Sequence, residues 1–344
     1  MRRIFVVAAL LAVLVMGMAG AALAGSGAGA INLSFPVGAR YNALGEAGTA
    51  LSQDATSMWW NPGGLAFLPQ RPKDHDVHVM YSRLAEGLAD DIGLTWLGYA
   101  APMGSTGAIG AYFNYLDMGD QQATDENGDP KGLFSSYMFA FGANYGVRVT
   151  RNIGVGLGVK YFRDKLSDDS MIQDPQGGGS GDSFGVDVGL LWKVPSLRSN
   201  IGLAVANLGP DIKHVDADQS DPMPRKATLG IAFSLYHSEF MGLLVVADYL
   251  APLYKWDNDQ EDYGFGLDTA QEEFGYGVEW NYLRSLYVRF GYKSAAYGDI
   301  RDTTFGFGVD MDRWVGQAIT FDFASVPQAR GLPKVSRLSF GYRF

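Results

Sequence analysis

Six charged residues stand where the surrounding pattern is otherwise apolar or small: Lys160, Asp187, Asp248, Glu279, Arg289 and Asp322. Each interrupts a run of alternating aliphatic or aromatic residues. An isolated charge on such a face must be paired or hydrated to be tolerated. Around Glu279, Phe274, Tyr276, Val278, Trp280 and Tyr282 alternate with Gly275, Gly277, Glu279 and Asn281. Beyond Leu283-Arg284, Tyr287, Arg289 and Gly291 alternate with Val288, Phe290 and Tyr292. A tight turn centred near Arg284 sets Glu279 directly across from Arg289, as an ion pair between neighbouring strands. These charges could hold the headgroup of a ligand. The simpler expectation is a structural charge network on the inner side of a sheet whose outer side is apolar.

Other chemistry is thin. None of the four histidines, His75, His78, His214 and His237, has a nucleophile at a matching strand position, so the chain reads as a non-enzyme. Asp125, Asn127 and Asp129 have the alternate spacing of a calcium loop, but no glutamate closes it at the twelfth position. A solvated turn is the plainer reading there. The absence of cysteine removes disulfides, thiolate metal sites and a lipid-modified N-terminus. No cofactor is expected. A formal charge of −10 with no basic stripe argues against a nucleic-acid partner.

The elements that must position these charges are strands. Period-two alternation occupies approximately residues 77–84, 91–103, 105–117, 134–147, 152–164, 182–194, 198–207, 225–236, 240–250, 272–283, 286–295, 303–310, 317–324 and 336–344. That makes fourteen runs, most of them as long as the roughly 9–11 residues a tilted strand needs to cross a bilayer. Their connections alternate in length. Short turns fall near Gly104 and at Thr150-Arg151, Pro195-Ser196, His237-Ser238 and Leu283-Arg284. Long polar stretches, 118–133, 165–181, 208–224 and 251–271, lie between them. Outer-membrane barrels show this asymmetry, with short periplasmic turns and long outer loops. An even strand count returns both ends of the barrel to the periplasm.

The final strand supports the same reading. Leu338, Phe340, Tyr342 and Phe344 alternate with Ser339, Gly341 and Arg343, apolar outward and polar inward, and the chain stops on an aromatic. Composition agrees: 45 glycines with 20 Phe, 18 Tyr and 7 Trp suit lumen-facing and lipid-facing positions better than the core of a soluble sandwich. At the start, Arg2-Arg3, the apolar stretch Ile4 to Met18 and Ala22-Leu23-Ala24 read as a secretory leader over residues 1–24. Residues 25–75 lack strand alternation and read as a plug of small helices. Asp54 is placed to cap one such helix, ended by Pro62 and the Gly63-Gly64 pair. The expected fold is all-β: a 14-stranded antiparallel transmembrane β-barrel over residues 76–344, in the outer membrane of a Gram-negative-type bacterium, with a small N-terminal helical plug.

Two blocks in the N-terminal segment carry a family resemblance. Gly38-Ala39-Arg40-Tyr41-Asn42-Ala43-Leu44-Gly45-Glu46-Ala47-Gly48-Thr49-Ala50 is followed by Asp54-Ala55-Thr56-Ser57-Met58-Trp59-Trp60-Asn61-Pro62-Gly63-Gly64-Leu65-Ala66. Together they resemble the N-terminal signature of the FadL-like outer-membrane superfamily, most closely its PorV/PorQ branch, with Gly63 where alanine is common. Further likeness runs through Gly154–Tyr161 and Arg289–Lys293, so it spans nearly the whole chain after the leader. The resemblance implies one of two jobs. FadL-like proteins pass hydrophobic small molecules such as long-chain fatty acids, with the N-terminal segment as a hatch. PorV-like members receive secreted proteins at the cell surface in type IX secretion. Transport is the leading expectation, with capture on apolar outer-loop residues such as Leu250, Leu253 and Tyr254. Trp59, Trp60, Asn61, Pro62 and Leu65 are the candidate ligand-binding or hatch residues. The partners implied are outer-membrane lipids and either a hydrophobic small molecule or a secreted protein.

Overall fold

The computed structural model describes residues 29–344 apart from 69–74, 88, 90, 105, 126, 168–178, 214–219, 258–261, 269 and 330. The expected leader, most of the 165–181 loop, Glu126 and His214 therefore lie outside the described residues.

Fourteen antiparallel strands close into one barrel, each bonded to the barrel strands before and after it in the chain and the last to the first. They are β1 (Asp76–Arg83), β2 (Gly93–Met103), β3 (Gly107–Thr124), β4 (Pro130–Arg148), β5 (Ile153–Lys165), β6 (Ser180–Val194) and β7 (Ser199–Leu208). The second half comprises β10 (Lys226–His237), β11 (Met241–Pro252), β14 (Glu273–Tyr282), β15 (Leu286–Ala295), β16 (Ile300–Asp310), β17 (Ala318–Val326) and β18 (Val335–Arg343). Two small hairpins rise from the outer connections: β8 (Ile212–Lys213) with β9 (Ser220–Asp221), and β12 (Tyr254–Asp257) with β13 (Asp262–Phe265). β1 pairs with β18 in register Val79↔Phe340. At that seam His75 and Phe344 exchange backbone N–H···O bonds of 2.8 and 2.9 Å. Closure leaves no edge in the membrane, as a wall in hydrocarbon requires.

The alternation read from sequence is the alternation of the wall. Phe290 is 60% exposed on the outer face while its neighbour Arg289 is 2% exposed within. Leu97, Phe113, Phe141, Leu157, Phe307 and Leu338 continue the apolar outer surface. Phe274 sits in the outward row too, but Ile231, Ala247 and Tyr249 pack round it and bury it. The turn after β14 sets register there: Leu283 and Arg284 both adopt φ of +55°. That left-handed pair matches strand twist in a tight hairpin.

One loop is shorter than expected. Residues 118–133 are mostly strand: β3 runs to Thr124 and β4 starts at Pro130, leaving only 125–129 between them. The pairing shifts between Asp117 and Asp120, and above that point the hairpin is polar. A hairpin standing in water has no lipid face to fill, so its strands do not alternate. The 208–224 and 251–271 stretches remain long connections, each folded back as the small hairpins above.

Residues 29–68 fill the barrel. Gly29 donates its N–H to Pro222 O (3.0 Å) at the outer rim, and the chain then descends toward β1 at the periplasmic rim. Leu33, Met58 and Leu65 of this plug form one apolar core with Met80, Trp96, Tyr112 and Phe162 of the wall.

Candidate functional site

The plug meets the wall in two chemically different ways. Toward β4–β6 the contact is backbone on backbone. Pro62–Phe67 is a short 3-10 turn whose first residue has no N–H to satisfy. A Cβ on Gly154 or Gly156 of β5, or on Gly189 of β6, would strike Gly63 or Pro62. Asn61 ties the two together: its Nδ2 donates to Thr49 O (2.9 Å) and Leu190 O (3.0 Å), while its Oδ1 accepts from Gly63 N (3.0 Å).

Toward β11–β18 the contact is ionic and polar. Arg40 makes a two-pronged pair with Glu279, both bonds 2.8 Å. Glu279 also accepts from Arg289 Nε (2.7 Å), and Arg289 Nη1 reaches Asp322 (2.6 Å). Further out, Glu46 pairs with Lys293 and lies 3.6 Å from Arg337, which also binds Asn42. Asp248 makes no ion pair among the described residues; it accepts the N–H groups of Gly48 (2.9 Å) and Thr49 (2.8 Å) and so fastens that turn. Ser339 accepts from Ala39 N (2.8 Å). At the periplasmic end Asp76 accepts from Ala55 N (2.9 Å), pairs with Arg343 (3.1 Å) and faces His78 (3.3 Å).

The fields inside the plug follow from these partners. Burial works to raise the Glu46 carboxyl, but Lys293 and Arg337 outweigh it and hold it below its ordinary value. Burial likewise opposes ionisation of Asp54, and His78, Thr56 and Tyr41 leave it lowered overall. Asp54 does not cap the Ser57–Trp60 helix directly; it accepts from Thr56 N (2.9 Å) in the turn before it.

Two clefts among the described residues flank the plug. The periplasmic cleft, about 180 Å³, is lined by Arg40, Asp54, Asp76, His78, Tyr287 and Arg343 among others. The outer cleft, about 50 Å³, lies between the plug and the outer ends of β10, β11, β14 and β15. Trp59 and Trp60 line it with Leu250 and Lys226. Trp59 also packs edge-on to Tyr112 (5.7 Å) and under Lys160 Nζ (5.7 Å). Trp60 donates Nε1–H to Val37 O (2.9 Å).

Of the five candidate plug residues, Trp59 and Trp60 thus reach a cleft. Asn61, Pro62 and Leu65 are buried at the seam with β4–β6. Among the six wall charges, Glu279, Arg289 and Asp322 form one chain and Lys160 pairs with Asp187 (2.7 Å). The Glu279↔Arg289 register is the one expected from the turn. Leu250 faces the outer cleft, but Tyr254 is buried rather than presented on the outer surface. Asp125 Oδ1 accepts from the N–H groups of Asn127 and Asp129, both 2.9 Å, as a turn does. Among the described residues no three acidic or histidine side chains stand close enough to hold a metal. Sequence reading passed over the roles of Arg40, Glu46, Lys293, Arg337 and Asp76; their partners are far away in the chain, Glu279 standing 239 positions after Arg40.

The fold is shared with solved transporter structures. The toluene transporter TbuX of Ralstonia pickettii superposes with a TM-score of 0.59 at 15% identity, covering 90% of this chain and 98% of that one. The toluene transporter TodX of Pseudomonas putida gives 0.54 at 16% identity, covering 89% and 96%. A FadL homologue of Pseudomonas aeruginosa gives 0.52 at 12% identity, covering 95% and 100%. No curated protein matches in sequence. The family model of the type IX secretion system protein PorV matches residues 29–249, from the plug into β11. The chain belongs to the PorV family. A PorV-family barrel of this kind resides in the outer membrane, so the rim of short turns faces the periplasm and the long connections face outward. Both signature blocks fall inside the matched region.

Proposed function

We propose that this PorV-family barrel acts in protein secretion, receiving secreted proteins on its outer rim while its lumen stays shut. The observation that carries the reading is the plug: it is fixed to the wall by backbone packing on one side and by buried ion pairs on the other. The free space favours the same reading. The outer cleft is about 50 Å³, whereas a benzene-sized guest occupies a cavity of about 150 Å³. Binding area instead lies outside, on the polar β3–β4 hairpin and the β8–β9 and β12–β13 hairpins. No catalytic step is part of this role. Residues 1–24 would be the export leader that delivers the chain, and residues 25–75 the plug domain that keeps the outer membrane sealed.

Hydrophobic small-molecule passage is the second reading, and the pairing of Trp59 and Trp60 with Leu250 in the outer cleft favours it. A deletion strain separates the two. Under the secretion reading, a discrete set of proteins sharing a terminal sorting domain accumulates in the periplasm and disappears from the surface. Complementation by a chain lacking residues 212–221 should fail, although the barrel assembles. Unchanged surface proteins, together with slowed uptake of an apolar carbon source, would instead establish the transport reading.

A further inference from the structure

The periplasmic mouth of the barrel is balanced in charge on one side and positive on the other. On the balanced side, Asp54, Asp76, Asp310 and Asp322 are interleaved with Arg40, Arg289 and Arg343. On the other side cations prevail. The connections 149–152, 195–198, 238–240 and 283–285 carry Arg151, Arg198 and Arg284, and Glu239 is their one carboxylate. Arg148 and Lys193 stand at the strand ends beside them, with Lys193 over the Phe67 ring at 4.0 Å. Between these turns an open hollow of about 410 Å³ is lined by Arg198, Asn200, Ala232, Ser234, His237 and Leu244, without a carboxylate among the described residues. Arg284 reaches His237 from the next turn, donating from Nη2 to the ring Nε2 (2.7 Å). A guanidinium cannot accept, so the imidazole nitrogen does, and this cation leans on a neutral base. Among the described residues neither Arg198 nor Arg284 forms an ion pair.

The formal charge of the chain is −10, so its general field repels anions and the positive side of the mouth runs against that trend. We infer that this hollow docks an acidic peptide segment of a periplasmic partner. The turns that frame it, at Arg198 and His237, belong to the rim of short connections, so the occupant arrives from the periplasm. Bilayer headgroups do not reach the lining, which faces the lumen. Asn200 Nδ2 donates to Ala50 O of the plug (3.2 Å), and Leu244 packs with Leu51 and Phe67. A single small anion cannot meet cations spread over successive connections, whereas an extended chain of carboxylates meets them in turn. The volume lies within the roughly 300–1,000 Å³ of recognition pockets. The amide of Asn200 and the hydroxyl of Ser234 suit a peptide backbone, and Ala232 and Leu244 suit its methylene groups. The docking is independent of the secretion reading, because the hollow opens away from the outer hairpins.

The test uses the full chain after leader removal, in phosphatidylcholine nanodiscs, with fluorescein-labelled hexaglutamate, hexaglutamine and hexalysine read by anisotropy. Hexaglutamate should bind about tenfold tighter than either control at low salt and weaken as salt rises. Arg198→Asn combined with Arg284→Asn should weaken it about tenfold. Asparagine suits the left-handed backbone of both positions, at φ +54° and +55°. Arg198→Lys combined with Arg284→Lys should keep the affinity. Arg313→Gln, on the β16–β17 connection of the same rim, should leave it unchanged. Equal binding of the three peptides, or an asparagine double variant that keeps hexaglutamate, would overturn the assignment. So would displacement of hexaglutamate by an equal concentration of glycerol 1-phosphate or inorganic phosphate, which would give the hollow to a lipid headgroup or a small anion. Heat-modifiable migration of each variant confirms that the barrel is intact. If the double variant fails to fold, Arg198→Asn alone is read in its place, with a loss of about threefold expected.

Discussion

The two flanks of the plug hold by opposite means. On the β4–β6 flank, Pro62 and Gly63 lie so close to Gly154, Gly156 and Gly189 that no side chain fits between them. On the β14–β18 flank, Arg40 and Glu46 reach across to Glu279, Lys293 and Arg337. The first contact depends on shape and is indifferent to pH and salt. The second depends on charge and can be weakened without disturbing the fold of the wall. A plug fixed rigidly along one side and electrostatically along the other has a built-in direction of release: it would swing from the β14–β18 side, with Asn61-Pro62 as the fixed edge.

The largest expected effect comes from the ionic flank. Glu279→Ala leaves Arg40 and Arg289 facing each other without their shared anion. Removing one partner of a buried pair costs about 3–5 kcal/mol. In planar bilayers the variant should show raised conductance, because the freed edge of the plug opens a path past Arg40. Conductance equal to that of the parent chain would mean that the charged flank does not hold the plug.

A smaller effect, of a different kind, is expected on the other side. Gly156→Val drives side-chain atoms into Pro62, and overpacking of this sort costs about 1–3 kcal/mol. Since no rotamer relieves a backbone clash, the outcome should be less assembled barrel, seen as less heat-modifiable protein, with ordinary conductance in what does assemble. Abundant, leaky barrel would erase the contrast between the flanks.

That contrast was only half legible in the sequence. The wall could be read because lipid on one side and lumen on the other force period-two alternation, and because the Leu283-Arg284 turn fixes Glu279 against Arg289. The plug's backbone flank left a trace as well, in the Asn61-Pro62-Gly63-Gly64 block. Its ionic flank left none. Arg40 and Glu46 sit in a segment with no periodicity, and each pairs with a wall residue more than two hundred positions away. The β3–β4 hairpin was misread as loop for the complementary reason: once its strands leave the bilayer, water faces both sides and the alternation stops.

The subtlest way to sharpen the comparison is acid. Lys293 and Arg337 hold the Glu46 carboxyl below its ordinary value. A depressed carboxylate contributes stability that is complete above the usual carboxylate range and is lost as pH falls through the lowered value. The ionic flank should therefore keep its hold at neutral and mildly acidic pH and loosen only in strong acid. The titratable group at the β4–β6 seam, Lys193 over the Phe67 ring, keeps its charge in acid, so that flank should not respond. Hydrogen exchange across a descending pH series reads both at once. After correction for the intrinsic pH dependence of exchange, protection at Gly45–Ala47 should fall in acid while protection at Gly63–Leu65 persists. In Glu46→Gln the first segment should lose its pH dependence and start from lower protection, because Lys293 and Arg337 then face an uncharged amide. Equal loss of protection at both segments would mean that the plug leaves the wall as one body, with no fixed edge to turn on.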